Sequence, residues 1–514
     1  MGLGIAAALA LSVSAAAAQT GSGELTITPL STYATGAFDE GAAEIVAYHA
    51  GTQTLFVVNG NDDTIDRLNI SDPTAPTLSG QISIEEYEYA PNSVAIYGDL
   101  VAVAANADAT DANGAVLFFD PAGAFLGMVD VGVLPDMVIF TPDGTKLLTA
   151  NEGEPSDDYT VDPEGSVSII DISGGVDAAT VTNVTFGDVE VSDGVRVYSP
   201  GATAAQDFEP EYVAVSADSA TAYVVLQENN AVVTIDIASA SITAITALGA
   251  KDFSVEGNGI DASGDDSAIN ITNYPIFGLY LPDAIVAFEA NGETYLITAN
   301  EGDSRDYDGY SEEADLGELT LDAAAFPTAA ELQAEEQAGG LEVTTTLGDT
   351  DGDGDYDAVY AFGARSFSIW NVATIEQVYD SGDRLEQLIA ATYPDDFNST
   401  NDENGSFEDR SDNAGPEPEG LALATINEQL YAFVGLERIG GVVVFNISDP
   451  TAPTFVTYIN NRDFSGDAAA GTAGDLGVEG LIVIDAANSP TGVALLVTAN
   501  EVSGTTTIFE IAAT

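Results

Sequence analysis

"NISDPTAPT" occupies residues 69–77, and the same nine residues return at 446–454. Composition alone hardly explains two identical copies so far apart, so they point to a repeated module. Each copy begins where an apolar run ends in a polar residue. Aligned on that residue, "RLNISDP", "LFFDPAG", "SIIDISG", "TIDIASA", "SIWNVAT", "VFNISDP" and "IFEIAAT" bring Asn69, Asp120, Asp171, Asp236, Asn371, Asn446 and Glu510 into register. That makes seven copies. A second series, "AEIVAYH", "PNSVAIY", "PDMVIFTPDG", "PEYVAVSADS", "PDAIVAFEANG", "PEGLALATINEQ" and "VEGLIVIDAAN", gives the same count. Each of its members opens a unit, followed by a turn, a second strand such as "KLLTANE" or "TAYVVLQEN", a loop, and a member of the first series.

Short Val, Ile, Ala and Tyr runs bounded by Gly, Asp, Asn and Pro read as an all-β chain. A module of three or four antiparallel strands cannot bury both faces alone. Seven of them in a ring predict a seven-bladed β-propeller (YVTN/WD40-like). The chain stops after "TIFEIAAT", where other units have room for an outer strand, and "ELTITPLSTY" near the N-terminus can supply it and close the ring. The interval from Asp236 to Asn371 is 135 residues, long enough for an eighth blade. One blade with two insertions, about 249–279 and 304–348, is the preferred reading, with a short helix at about 328–338. A third insertion, about 394–415, looks like a loop that needs ligands or packing to order it. Residues 19–514 are thus expected to form one domain.

Residues 1–18 resemble a signal peptide in length and in the small residues near Ala18, although the usual basic start is missing. No later apolar run approaches the roughly 20 residues of a membrane span. The expectation is a soluble, monomeric protein, secreted to the extracellular space or the periplasm. With no cysteine, disulfides, thiol nucleophiles and thiolate metal sites are excluded. The single histidine, His49, argues against a histidine base or a multi-histidine zinc site. The net charge of −74, from 84 acidic and 10 basic residues, opposes nucleic acid and anionic membranes as partners. It fits saline surroundings, in which charges are screened beyond about 8 Å, and it fits loading with divalent cations.

The candidate site comes from "TANEG" at 149–153, "TANEGD" at 298–303 and "TANEV" at 498–502. These end second strands, and the "PEPEG" type of element begins first strands, so both series are expected on one face around the channel. They carry Glu152, Glu228, Glu301, Glu437 and Glu501, and Asp136, Glu211, Asp283, Glu419 and Glu479. So many carboxylates at one opening cannot all stay ionised without cations or arginines between them. Arg305, Arg365 and Arg438 sit in or beside these loops. The alternative is that the repeated Asn and Glu are turn residues, Asn taking left-handed angles and Glu pairing locally with Arg. Separately, "DTDGDGDYDAVY" offers Asp349, Asp351, Asp353, Asp355 and Asp357 with Gly354 at the sixth place, the oxygen spacing of a calcium loop. Tyr360 replaces the usual bidentate Glu and strand follows, so this is a calcium-type loop outside an EF-hand.

Together, "LLTANEGEPSDDY", "YLITANEGDSRDY", "FGARSFSIW", "RSDNAGPEPEGLAL" and "LLVTANEVSGTTTIFEI" resemble the choice-of-anchor I family, akin to mesenchyme-specific cell-surface glycoproteins of biomineralising animals. The resemblance spans about 40–514 and implies a secreted or surface-held propeller. "PEPEGLA" is also similar to a motif of esterase-like phytase propellers, and some relatives are labelled alkaline phosphatases. Three functions stay open. The first is a non-catalytic, calcium-binding propeller for an extracellular or cell-envelope ligand. The second is a calcium-dependent phosphoesterase using Glu211, Glu419, Glu479, Arg305, Arg365 and Arg438; on either reading Glu152, Glu301 and Glu501 are expected to hold metal, beside the aspartate loop. The third is an interaction scaffold with solvated carboxylates. No organic cofactor is implied.

Overall fold

The computed structural model describes residues 25–187, 189 and 191–513. The expected signal peptide lies outside them. Seven four-stranded antiparallel sheets contain most of the strands of the described residues. Their first strands are Val46–His49, Tyr89–Tyr97, Pro135–Phe140, Pro210–Val215, Ile285–Ala290, Pro418–Ile426 and Val478–Ile484, the seven members of the second sequence series. Each first strand packs against the first strand of the next sheet, and Val46–His49 packs against Val478–Ile484. Six sheets run first to fourth strand in chain order, and the last takes its outer strand from Leu25–Ala34, which pairs antiparallel with Thr505–Ala513.

Second and third strands are almost wholly buried, as in Leu147, Leu148, Val167 and Ile170, because they are covered by neighbouring sheets on both faces. Outer strands alternate with exposed residues, as in Thr180–Thr185. The polar residue that ends each apolar run is a turn cap. Asn69 Oδ1 accepts from the Ser71 amide (3.2 Å), Asp171 Oδ1 from Ser173 (3.0 Å) and Asn446 Oδ1 from Ser448 (3.0 Å). This explains why Asn and Asp recur where a third strand turns back.

The long interval contains no eighth four-stranded unit. Its two insertions join in one five-stranded sheet, Ala250–Asp252, Phe277–Leu279, Tyr360–Ala361, Glu342–Thr344 and Glu313–Asp315, with one parallel pair. Phe253, Ile276, Leu316, Leu332, Leu341 and Val343 give it a core of its own. The helix expected at 328–338 is a single turn, Ala329–Leu332. Beyond it Gln333 donates to the carbonyls of Leu316 (2.9 Å) and Leu319 (2.8 Å), so tertiary bonds override helix propensity. A longer helix that the sequence reading omitted, Arg384–Thr392, buries Leu385, Glu386 and Ile389 ahead of the third insertion. His49 is buried, with Nδ1 2.7 Å from Thr52 Oγ1 and Nε2 3.2 Å from Asp99, a structural role.

Candidate functional site

The three TANE copies divide their labour. Asn151 Nδ2 donates to Ser168 Oγ (2.9 Å), to Ser166 Oγ (3.2 Å) and to the Ser166 carbonyl (3.1 Å). Asn300 repeats this with Ser366 and Ser368, and Asn500 with Thr505. Thr149 and Thr298 hold the amide oxygens of Asn151 and Asn300 in turn. The Asn therefore clasps second strand to third, fully buried. It does not take the left-handed angles considered above, because its side chain rather than its backbone makes the turn.

The glutamate that follows lines one of two carboxylate-rich cavities, Glu152 and Glu501 one of them and Glu301 the other. The amides of Glu152 and Glu501 are latched to the residue before the first strand of their own sheet, donating to the carbonyls of Leu134 (2.9 Å) and Gly477 (2.8 Å), and Glu437, at the same place in another sheet, donates to Glu417 (2.9 Å). Leu134, Leu281 and Glu417 hold φ of 49°, 42° and 46°, left-handed angles that are costly for side chains with a Cβ. Each directly precedes a proline and stands two residues before Asp136, Asp283 or Glu419. The strained turn directs that next carboxylate inward.

One cavity of about 200 Å³ is lined by Asp136, Glu211, Asp283, Glu301, Asp303, Glu419 and Glu479 together with Tyr212 and Gln227, and by no lysine or arginine. A second, of about 310 Å³, shares Asp136 and Glu479 and adds Glu44, Glu152, Glu154 and Glu501. Glu44, Asn92, Asp136, Glu211, Asp283, Glu419 and Glu479 hold the same place at the start of the seven inner strands. Glu44 was legible in "AEIVAYH" and was missed, as were Glu154 and Asp303, which only the loop fold brings inward.

Carboxylate oxygens of Asp136, Glu152 and Glu211 lie within 4.8 Å of one another, and so do those of Glu301, Glu417 and Glu437. Glu211, Glu419 and Glu479 line one cavity but do not form such a triad among the described residues. Burial first, and then the neighbouring carboxylates, push Glu152, Glu211, Glu301, Glu419 and Glu479 well above the usual range. Asp136 is pushed up to about 7 by burial and then by Glu154, and Asp283 to about 8 by burial and then by Asp136. Glu44 reaches about 8 through burial and then Glu501. At Glu211 the largest influences all raise it, and the cavity it lines has no lysine or arginine among the described residues.

The three arginines fare differently. Arg305, 0% exposed, pairs with Asp207 (3.1 Å) and Glu209 (2.9 Å). Arg365 is buried against Glu386 (2.7 Å) and the carbonyls of Asp261 and Ser411. Both are consumed inside the fold, because buried carboxylates and carbonyls claim their donors. Arg438 alone reaches the rim, bound to Glu417 and Glu437, in a cavity of about 410 Å³ that also holds Glu301, Asp303 and Arg410. Glu228 does not line the cation-free cavity; burial pushes it up and Arg305 pulls it back.

The aspartate loop is exposed. Asp349, Asp351 and Asp353 bring oxygens within 4.8 Å of one another. Asp349 accepts from the amides of Gly352 (2.8 Å) and Gly354 (3.1 Å), while Asp357 holds Thr350. Asp355, hydrogen-bonded to Asp353, is pushed up to about 6. Tyr360 begins a strand here, as its sequence suggested.

These features define an all-β protein of repeated four-strand sheets around a carboxylate-lined centre. The chain belongs to the choice-of-anchor I domain family, whose model matches residues 44–450. It is 32% identical over 190 residues to Gigasin-3a of Magallana gigas, covering 35% of this chain and 66% of that protein. It is 27% identical over 237 residues to the mesenchyme-specific cell surface glycoprotein of Strongylocentrotus purpuratus, covering 40% of this chain and 30% of that protein. The chain thus spans less than two thirds of either relative. Among solved structures it is similar to the Cps50 (Swd1) β-propeller domain of Myceliophteria thermophila, with 7% identity, a TM-score of 0.45, and coverage of 95% and 100% of the two chains. No helix of the described residues is long and apolar enough to cross a membrane.

Proposed function

We propose that residues 19–514 form a single seven-bladed β-propeller, secreted and closed by its N-terminal strand, that holds divalent cations at its centre and through them an extracellular or cell-envelope ligand, without catalysis. The cyclic packing of the seven first strands and the pairing of Leu25–Ala34 with Thr505–Ala513 support the ring. The cell-surface name of the sea-urchin relative supports the location. The observation that carries the cation reading is the Asp136, Glu152 and Glu211 cluster, three carboxylates within 4.8 Å beside a cavity with no basic side chain. Oxygen ligands without nitrogen or sulfur suit a hard ion, calcium first. The exposed aspartate loop is a second, weaker calcium site on this reading. The test is bound-metal analysis and calcium titration of the purified protein. The wild type is expected to hold calcium tightly, and Asp136→Asn with Glu211→Gln to lose it. Calcium uptake only above millimolar levels would favour a scaffold with solvated carboxylates.

A calcium-dependent phosphoesterase is the second reading, supported by Arg410 and Arg438 in the same cavity as Glu301 and Glu417. With Arg305 and Arg365 buried, it has only those two cationic groups to meet a phosphate. Calcium-dependent hydrolysis of a chromogenic phosphomonoester, abolished by chelator and by Glu419→Gln, would raise it above the first.

A further inference from the structure

Two carboxylate triads among the described residues differ in what lies between their members. Oxygens of Asp136, Glu152 and Glu211 lie within 4.8 Å of one another, and so do those of Glu301, Glu417 and Glu437. Oxygens bound to one calcium ion at about 2.3–2.6 Å stand no more than about 5 Å apart, so either spacing suits an ion. The cavities that the first triad lines contain no basic side chain. The second triad already holds one. Arg438 Nε donates to Glu417 Oε2, and its Nη1 pairs with Glu437 Oε1 at 3.0 Å.

Arg438 is held in that place through its backbone. Its carbonyl accepts from Arg462 Nη1 (2.9 Å), which also donates to the Thr400 carbonyl (2.7 Å), while Nη2 donates to the Glu403 carbonyl (2.7 Å) and Nε to Asn404 Oδ1 (3.0 Å). Arg462 thus ties the third insertion to Arg438. From that insertion Asn401 donates to Glu437 Oε1 (2.7 Å), the same oxygen that Arg438 takes. Glu437 is 5% exposed, and its other oxygen, Oε2, has no partner. Glu417 also binds Arg410 (2.5 Å), and Glu301 accepts from the neutral Gln227 (2.7 Å). Three carboxylates therefore meet two guanidiniums. Without Arg438 two negative charges would stay uncompensated in a buried place, the charge of one divalent ion.

We propose that Arg438 is a tethered counter-ion: its guanidinium occupies, between Glu301, Glu417 and Glu437, the place that a divalent cation would otherwise take, and so sets how many ions the carboxylate cavities hold. This role does not depend on calcium binding by the first triad. A tethered charge stays when the surroundings lose calcium, so Glu417 and Glu437 keep their positions while an exchangeable site loads and empties.

The experiment counts calcium ions on the full chain by native mass spectrometry. Arg438→Gln is expected to carry one calcium more than wild type, and Arg438→Lys, which keeps the positive charge, the wild-type number. The added ion is expected to vanish when Glu437→Gln is combined with Arg438→Gln, and to persist when Glu211→Gln is combined with it instead. A count in Arg438→Gln no higher than in wild type, or an added ion that survives Glu437→Gln, would overturn the proposal. If Arg438→Gln folds poorly, calcium is expected to raise its melting temperature more than that of wild type; a variant unfolded in calcium and in chelator alike sinks the proposal too. Wild type free of calcium beside a variant that carries one ion would instead sink the calcium reading of the first triad and leave the role of Arg438 standing.

Discussion

Glu209 and Glu211 stand two residues apart at the start of one inner strand, and their carboxylates meet opposite surroundings. Burial pushes Glu209 up and Arg305 pulls it back, through a 2.9 Å ion pair. At Glu211 burial is followed by Glu152, Asp136, Asp283 and Glu228, and every one of them pushes in the same direction. The first region has a counter-charge within the chain, Arg305 shared between Asp207 and Glu209, although burial still holds Glu209 well above the usual range. The second has to take its counter-charge from solution, as protons or as cations. The difference separates an acidic cluster with an internal arginine from the one proposed to bind cations, which a count of acidic residues cannot do.

The most severe way to break this comparison is Arg305→Ala. It strips Asp207 and Glu209 of their partner in a dry interior, and the loss is expected at about 3–5 kcal/mol in denaturant unfolding. A loss below about 1 kcal/mol would mean that the two carboxylates simply take up protons, so that both regions behave alike.

Chelation at different pH values probes the other side. Asp136, Asp283 and Glu44 have folded-state pKa values raised to about 7, 8 and 8. A raised acid contributes stability that is full below its unfolded value near 4 and is lost as pH rises through the folded value. Chelated protein should therefore lose thermal stability between about pH 4 and pH 8. Calcium should restore several degrees at pH 8 and almost none at pH 5. Equal calcium stabilisation at both pH values would place the ions elsewhere.

Asn151→Ala sharpens the division within TANE. It removes three buried hydrogen bonds between second and third strand, and the expected cost is about 2 kcal/mol with calcium stoichiometry unchanged. The smallest effect belongs to Asp351→Asn in the exposed loop. Unfolding stability should stay unchanged, while the weakest calcium step in a titration disappears.

Much of the frame was legible in the chain. Strand-length apolar runs with period-two outer strands and Asn or Asp turn caps mark each unit, and these are local signals. The first strand of every sheet coincides with the second repeat series, and even the outer strand at Leu25–Ala34 follows from an unfilled edge. The shared sheet of the two insertions was not legible, because the parallel pair that joins them, Phe277 with Tyr360, links distant segments with no repeat to align them. Glu44 was visible in its own repeat position and overlooked. Glu154 and Asp303 had no local signal, since an acidic residue in a loop usually meets water.

The sequence by itself determined where strands begin, how they turn, and that acidic side chains occupy one repeated position, because strand period and turn chemistry act over a few residues. Only the tertiary structure decided which of those acids have an arginine beside them and which do not. Desolvation and Coulomb attraction depend on neighbours brought together from distant parts of the chain, and no local pattern encodes them.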